Sequence, residues 1–80
     1  MDVHETGSKL FSTRYTIQIK AGEENIFVKW ECIVALGQLG DTRVEKLLVR
    51  LQAEEIAQVI REACREALAE IQQRNHAAVA

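Results

Sequence analysis

The chain has 80 residues, which limits it to one small domain, and 48% of them are hydrophobic, which is enough for a folded core. Its net charge of −2 creates no broad positive field, so the composition argues against binding to nucleic acid or to an anionic membrane surface. No apolar run approaches the roughly 20 residues of a membrane-spanning helix, and no signal peptide follows Met1, so we expect a cytoplasmic protein.

The N-terminal region supports two interpretations. We expect residues 1–7 to be disordered. Within residues 10–20, the stretch from Phe11 to Lys20 alternates apolar and polar side chains almost strictly and is rich in β-branched residues, which is typical of a half-buried strand. However, shifting this segment by 32 positions places Tyr15 on Leu47 and Ile19 on Leu51, which favours a helix. Helix is preferred here, and strand remains the alternative.

The clearest predicted helix runs from Asn25 to Leu39. Asn25 is a good N-cap, Gly40 can end the helix in the left-handed conformation, and Gly37 would allow a neighbouring helix to approach closely. The apolar residues recur with the spacing of one helical face, namely Val28, Cys32, Ala35, Leu36 and Leu39.

Two further helices follow. The second spans about 42–53, and Thr42 with Glu45 has the spacing of a capping box. A short turn before it predicts that it packs antiparallel to the first helix. The third opens at Glu54 and Glu55, whose carboxylates suit a helix N-terminus, and continues to about Arg74. Residues 75–80 are predicted to form a flexible tail.

Residues 28–39 and 60–71 carry the same pattern, 32 positions apart, and the pattern matches Cys32 with Cys64. A period of this length marks a repeat protein, whose units stack because none can bury its apolar face alone. The two cysteines are therefore expected to be small buried side chains, in preference to a disulfide or a metal pair. The histidines have no ligand spacing around them, so no metal site or cofactor is expected.

The stretch from Val28 to Asp41, VKWECIVALGQLGD, resembles the HEAT-like repeat of the phycobilisome lyase type. The resemblance implies an all-α fold, a short HEAT-like α-solenoid of about two and a half helix-pair units. Residues 8–22 would be a degenerate partial repeat, 23–53 a complete repeat, and 54–74 the first helix of the next. The second copy departs from the pattern at Ala69 and Gln72, where the first copy has glycines.

The same resemblance implies contacts between units. In such repeats, the cation after the first aliphatic residue and the acid after the second glycine often link neighbours. The matching residues here are Lys29, Arg61 and Asp41, although Asp41 could equally serve only as a helix cap.

Partner binding is the function that we expect, because the second helices of stacked pairs usually line the binding surface. Arg14, Gln18, Lys46 and Arg50 would form a cationic patch suited to an acidic peptide or protein surface; a solvated charged face is the alternative. Trp30 is a second candidate contact, unless it packs on Phe27.

The leading interpretation is a protein-binding or assembly module without catalytic activity, which could form homo-oligomers. An accessory subunit of the phycobilisome lyase group, handling phycobiliproteins or bilin, is the alternative. The sequence contains no catalytic Ser–His or Cys–His pairing and no phosphate-binding loop.

Overall fold

Four α-helices build the computed structural model, which describes the backbone of residues 3–79 and the side chains of residues 12–75. They are α1 (Val3–Lys20), α2 (Ile26–Leu39), α3 (Glu45–Glu54) and α4 (Gln58–Val79), with a 3₁₀ turn at Thr42–Val44 ahead of α3. These residues contain no strand, so the all-α prediction is confirmed.

The helical state of α1 settles the ambiguity of its sequence. Tyr15 and Ile19 lie one helical turn apart and pack on the core, whereas Ile17 is 62% exposed. A strand would place all three side chains on one face. The alternation of apolar and polar residues in α1 therefore does not predict which of its side chains are buried. The helix starts at Val3 and α4 ends at Val79, so both extend into the end segments that the sequence predicts to be loose.

The ends of α2 follow the capping prediction. The Asn25 side-chain oxygen accepts hydrogen bonds from the backbone N–H groups of Phe27 (2.9 Å) and Val28 (3.2 Å). Gly40 ends the helix with a φ of 69°, a conformation that residues with a Cβ adopt only with strain.

Two other helix starts differ from the prediction. Asp41, which the sequence allows as a helix cap, caps the 3₁₀ turn in place of Thr42, because its carboxylate accepts from the Arg43 N–H at 2.9 Å. The predicted capping box is absent at α3, where no side chain caps the N-terminus. Glu54 is the last residue of α3 and Glu55 lies in the following turn, so neither opens α4. The Glu55 carboxylate instead accepts from Lys29.

The principal helix contacts join α1 with α2, α2 with α4, and α3 with α4. The sequence pairs α2 with α3, but α4 is the main neighbour of both. The 3₁₀ turn lengthens the connection, and α3 packs the buried Leu48 into the core that it shares with α4. Most of this core comes from α2 and α4, and its fully buried side chains include Ile33, Leu36, Leu48, Ile60, Cys64 and Ile71.

Gly37 is the point of closest approach between α2 and α4, as its lack of a side chain predicts. A Cβ at this position would lie 2.8 Å from the Cα of Ala67. Both cysteines are buried free thiols, which confirms their predicted role as small core residues. Burial raises the pKa of the Cys64 thiol to about 11 and also raises that of Cys32, so neither is an activated thiolate.

Candidate binding groove

A groove runs between α1 and the segment that comprises the 3₁₀ turn and α3. Its two adjoining hollows have volumes of about 210 Å³ and 270 Å³ and share Thr16, Lys20, Arg43 and Val44. On α1, the lining residues recur with the spacing of one helical face, namely Ser12, Thr13, Thr16, Ile17 and Lys20. The opposite wall adds Asp41, Lys46, Leu47 and Arg50.

Four cationic side chains from three elements meet in this groove: Lys20 of α1, Arg43 of the 3₁₀ turn, and Lys46 and Arg50 of α3. Of the described lining residues, only Asp41 carries a carboxylate. Three aliphatic side chains also line the groove, Ile17, Val44 and Leu47, and we call them its aliphatic floor. The groove thus combines positive charge with an apolar base.

Asp41 orients Arg43 at the edge of the groove. Its carboxylate accepts from Arg43 Nη2 at 2.7 Å and from Nε at 3.0 Å, and also from the Ser12 hydroxyl at 2.6 Å. The hydrogen bond from the Arg43 side chain is the main reason that the pKa of Asp41 lies far below its usual range; the Ser12 hydroxyl adds to the effect, while burial opposes it. Asp41 therefore holds α1 against the 3₁₀ turn and remains ionised.

The other three cations of the groove are available for a partner. Lys20, Lys46 and Arg50 have no ion-pair partner within residues 12–75, and each is exposed. Because Arg43 is already paired with Asp41, the positive charge offered to a ligand comes mainly from these three side chains.

Only two of the residues predicted for the patch lie in the groove. Lys46 and Arg50 line it, whereas Arg14 is exposed outside it. The Gln18 side-chain oxygen accepts from the Cys32 thiol of α2 at 3.6 Å, and its amide donates to Glu23, in the connection before α2, at 3.5 Å.

The sequence prediction missed Lys20 and Arg43 because it compared only positions 32 residues apart, such as Arg14 and Lys46. The two walls of a groove, by contrast, are built from faces that point toward each other and hence from non-equivalent positions. The signal for Lys20 was its spacing of four residues from Thr16, which places both on one face of a helical α1.

Trp30 lies outside the groove, on the first half of α2. Its ring stacks on Phe27 with the ring centroids 6.2 Å apart, and the residue remains 37% exposed. The predicted packing on Phe27 is therefore present, but Phe27 itself is 64% exposed, so the pair forms a surface feature and not part of the core.

The residues predicted to join units have different partners from those expected. Lys29 of α2 donates to Glu55 in the turn before α4 at 3.1 Å, with both side chains 17% exposed. Asp41 joins Ser12 and Arg43. Arg61 is exposed and lines a second groove of about 300 Å³, together with Gln52, Gln58, Glu62 and Arg65.

Among the described helices, none is long and apolar enough to cross a membrane. Comparisons with protein-family models, curated proteins and solved structures give no match to this chain, so its resemblance to HEAT-like repeats rests on the motif alone.

Proposed function

We propose that this protein is a small HEAT-like repeat module for protein–protein binding or assembly, without catalytic activity, and that the groove between α1 and α3 binds an acidic segment of its partner. The observation that carries the proposal is the convergence of Lys20, Lys46 and Arg50, all unpaired within the described residues, around an aliphatic floor.

The repeat character is supported by a period that recurs in the helices. The first residues of α2 and α4, Ile26 and Gln58, lie 32 positions apart, which is the spacing of the sequence duplication. Each is preceded by a helix that packs against it, α1 for α2 and α3 for α4. The first helix of each pair, α1 and α3, contributes lining residues to the groove.

The chemistry of the groove favours carboxylates combined with apolar side chains. The cations would steer an acidic partner and set its orientation, while Ile17, Val44 and Leu47 would supply apolar contact. Among the described residues, the lining contains no aromatic side chain on which a nucleic-acid base could stack. An acidic protein segment therefore suits this surface better than a nucleic acid.

The second groove allows a comparison with the groove between α1 and α3 within the same molecule. It also contains two arginines, Arg61 and Arg65, but its other lining residues are Gln52, Gln58 and Glu62. Glu62 offsets part of the positive charge, and there is no aliphatic floor. We therefore assign binding to the groove between α1 and α3.

The test is a titration of a fluorescein-labelled peptide of alternating glutamate and leucine, followed by fluorescence anisotropy at low ionic strength. Lys46→Glu with Arg50→Glu should weaken binding about tenfold or more, because attraction becomes repulsion. Arg61→Glu with Arg65→Glu makes the same change in net charge at the second groove and should leave binding nearly unchanged. Circular dichroism checks that both variants stay helical.

Equal weakening by the two double variants would show that the peptide responds only to overall charge, and the assignment of the groove would be wrong. Absence of binding to the unmodified protein would remove the proposal itself. The role with bilins stays a prediction from the resemblance, and an unchanged bilin absorption spectrum on mixing would count against it.

A further inference from the structure

The beginnings of α2 and α4 form an exposed apolar surface bordered by glutamates, which we call the acidic edge. Ile56, in the turn before α4, is 90% exposed, and Phe27 is 64% exposed. The edge also contains the partly exposed Ile26, Trp30 and Val59. The bordering carboxylates are those of Glu24, Glu31, Glu54 and Glu62, all on exposed residues.

The contacts of α2 and α4 bring the parts of this edge together. Lys29, in the first turns of α2, reaches Glu55 beside Ile56 at 3.1 Å. Farther along, Gly37 of α2 contacts Ala67 of α4, so the two helices run in the same direction. Their first turns therefore lie side by side. Exposed apolar side chains grouped in this way commonly mark an interaction site.

The acidic edge and the groove have complementary chemistry. The groove has cations with no ion-pair partner among residues 12–75 around an aliphatic floor, and the edge has exposed apolar side chains near exposed glutamates such as Glu24 and Glu54. Among the described side chains, four cationic residues line the groove, whereas Asp41 is the only acidic residue in its lining.

We propose that the partner of the groove is a second copy of this chain, whose acidic edge inserts the Glu54–Ile56 turn between α1 and α3. This inference rests on the proposed function of the groove. The contact joins two different surfaces, so it is heterologous: each copy keeps one free groove and one free edge, and association continues into chains or closes into a ring.

Ile56 gives the contact its anchor. Its side chain is the most exposed large hydrophobic group among the described residues, and Glu54 precedes it by two positions. In the groove, Ile56 would meet Val44 and Leu47 while the glutamate meets Lys46 or Arg50. The contact would remove the exposed Ile56 and Glu54 side chains from water.

Sedimentation equilibrium of the unmodified protein tests this inference. The mean mass should rise above 9.0 kDa with concentration and fall back at high salt, because screening weakens the charge pairs. Lys46→Glu with Arg50→Glu should be monomeric, and so should Glu24→Lys with Glu54→Lys. Mixing these two variants should restore association, because each then meets a surface of opposite charge.

Arg61→Glu with Arg65→Glu is the matched control and should associate like the unmodified protein. A monomeric unmodified protein, or a mixture of the two variants that stays monomeric, would overturn the inference. If the acidic peptide still binds the groove in that case, the proposed function stands and only the identity of the partner is wrong.

Discussion

The helices α2 and α4 carry nearly the same sequence pattern, yet their equivalent faces have different surroundings. Ile33 of α2 is fully buried, whereas Arg65, 32 positions later, is exposed. The reason is that α4 covers this face of α2, and no described helix covers the corresponding face of α4. A repeated pattern therefore specifies a helix, while the neighbour decides which of its residues are buried.

The two copies also end differently. Gly40 stops α2 by adopting a positive φ, and Gln72 stands at the equivalent position of α4. Because Gln72 has no such conformational preference and continues a helix readily, α4 runs on to Val79. The loss of one glycine accounts for the greater length of the second copy.

The largest expected effect is a loss of stability on substitution of Ile33, which we compare with substitution of Arg65 at the equivalent position. Ile33→Ala should lower the free energy of unfolding by about 3 kcal/mol, because it leaves a cavity between α2 and α4. Arg65→Ala should change it by less than about 0.5 kcal/mol, since the side chain is exposed. Urea denaturation followed by circular dichroism measures both. Equal losses would contradict the difference in burial.

Asp41 offers the next contrast. Asp41→Ala removes the N-cap of the 3₁₀ turn, the paired hydrogen bonds from the Arg43 guanidinium and the acceptor of the buried Ser12 hydroxyl. It should therefore lower the free energy of unfolding by about 2 kcal/mol. Gln73, the equivalent residue, is exposed on α4, and Gln73→Ala should have little effect. Thermal melts at neutral pH compare the two variants.

This contribution of Asp41 should depend on pH. Its pKa is lowered in the folded protein, so the stabilisation is complete above the ordinary value of 3.8 and is lost as the pH falls below it. The difference in stability between the unmodified protein and Asp41→Ala should therefore shrink on acidification from pH 5 to about 2. A difference that grows in acid would contradict the assignment.

A smaller effect is expected at Gly37. Gly37→Ala gains helix propensity but places a Cβ 2.8 Å from the Ala67 Cα, which forces α2 and α4 apart. The free energy of unfolding should fall by about 1 kcal/mol in total. At the equivalent exposed position, Ala69→Ser should be nearly neutral. A stabilised Gly37→Ala variant would show that the two helices are less closely packed than described.

The smallest effect concerns Lys29 and Arg61. Lys29→Met breaks the ion pair with Glu55, which is partly shielded from water, and should cost no more than about 1 kcal/mol. Arg61→Met should cost almost nothing. A double-mutant cycle of Lys29→Met with Glu55→Gln measures the coupling energy of this ion pair. The same cycle built from Arg61→Met and Glu55→Gln should show no coupling.

Much of the fold was predictable from local chemistry. The caps at Asn25 and Gly40, the close approach at Gly37 and the burial of both cysteines all follow from residue type and helical spacing. The pairing of helices did not follow, because α4 competes with α2 as the neighbour of α3. Glu55 likewise looked like a helix start but serves as the partner of Lys29.

The groove was only half predictable, for a reason of geometry. Lys46 and Arg50 stand one turn apart on α3 and were visible as a pair. Lys20 and Arg43 enter the groove through the arrangement of separate elements, which periodicity along one helix does not encode. The apolar character of the floor, formed partly by Ile17, depends on the same arrangement.

The most direct test of the account is a ¹H–¹⁵N correlation spectrum recorded during titration with the alternating glutamate–leucine peptide. We predict that the resonances that shift belong to Thr16, Lys20, Val44, Lys46 and Arg50. Shifts centred on Gln58, Arg61 and Arg65, or spread evenly over all exposed cations, would contradict the claim that the groove between α1 and α3 is the binding surface.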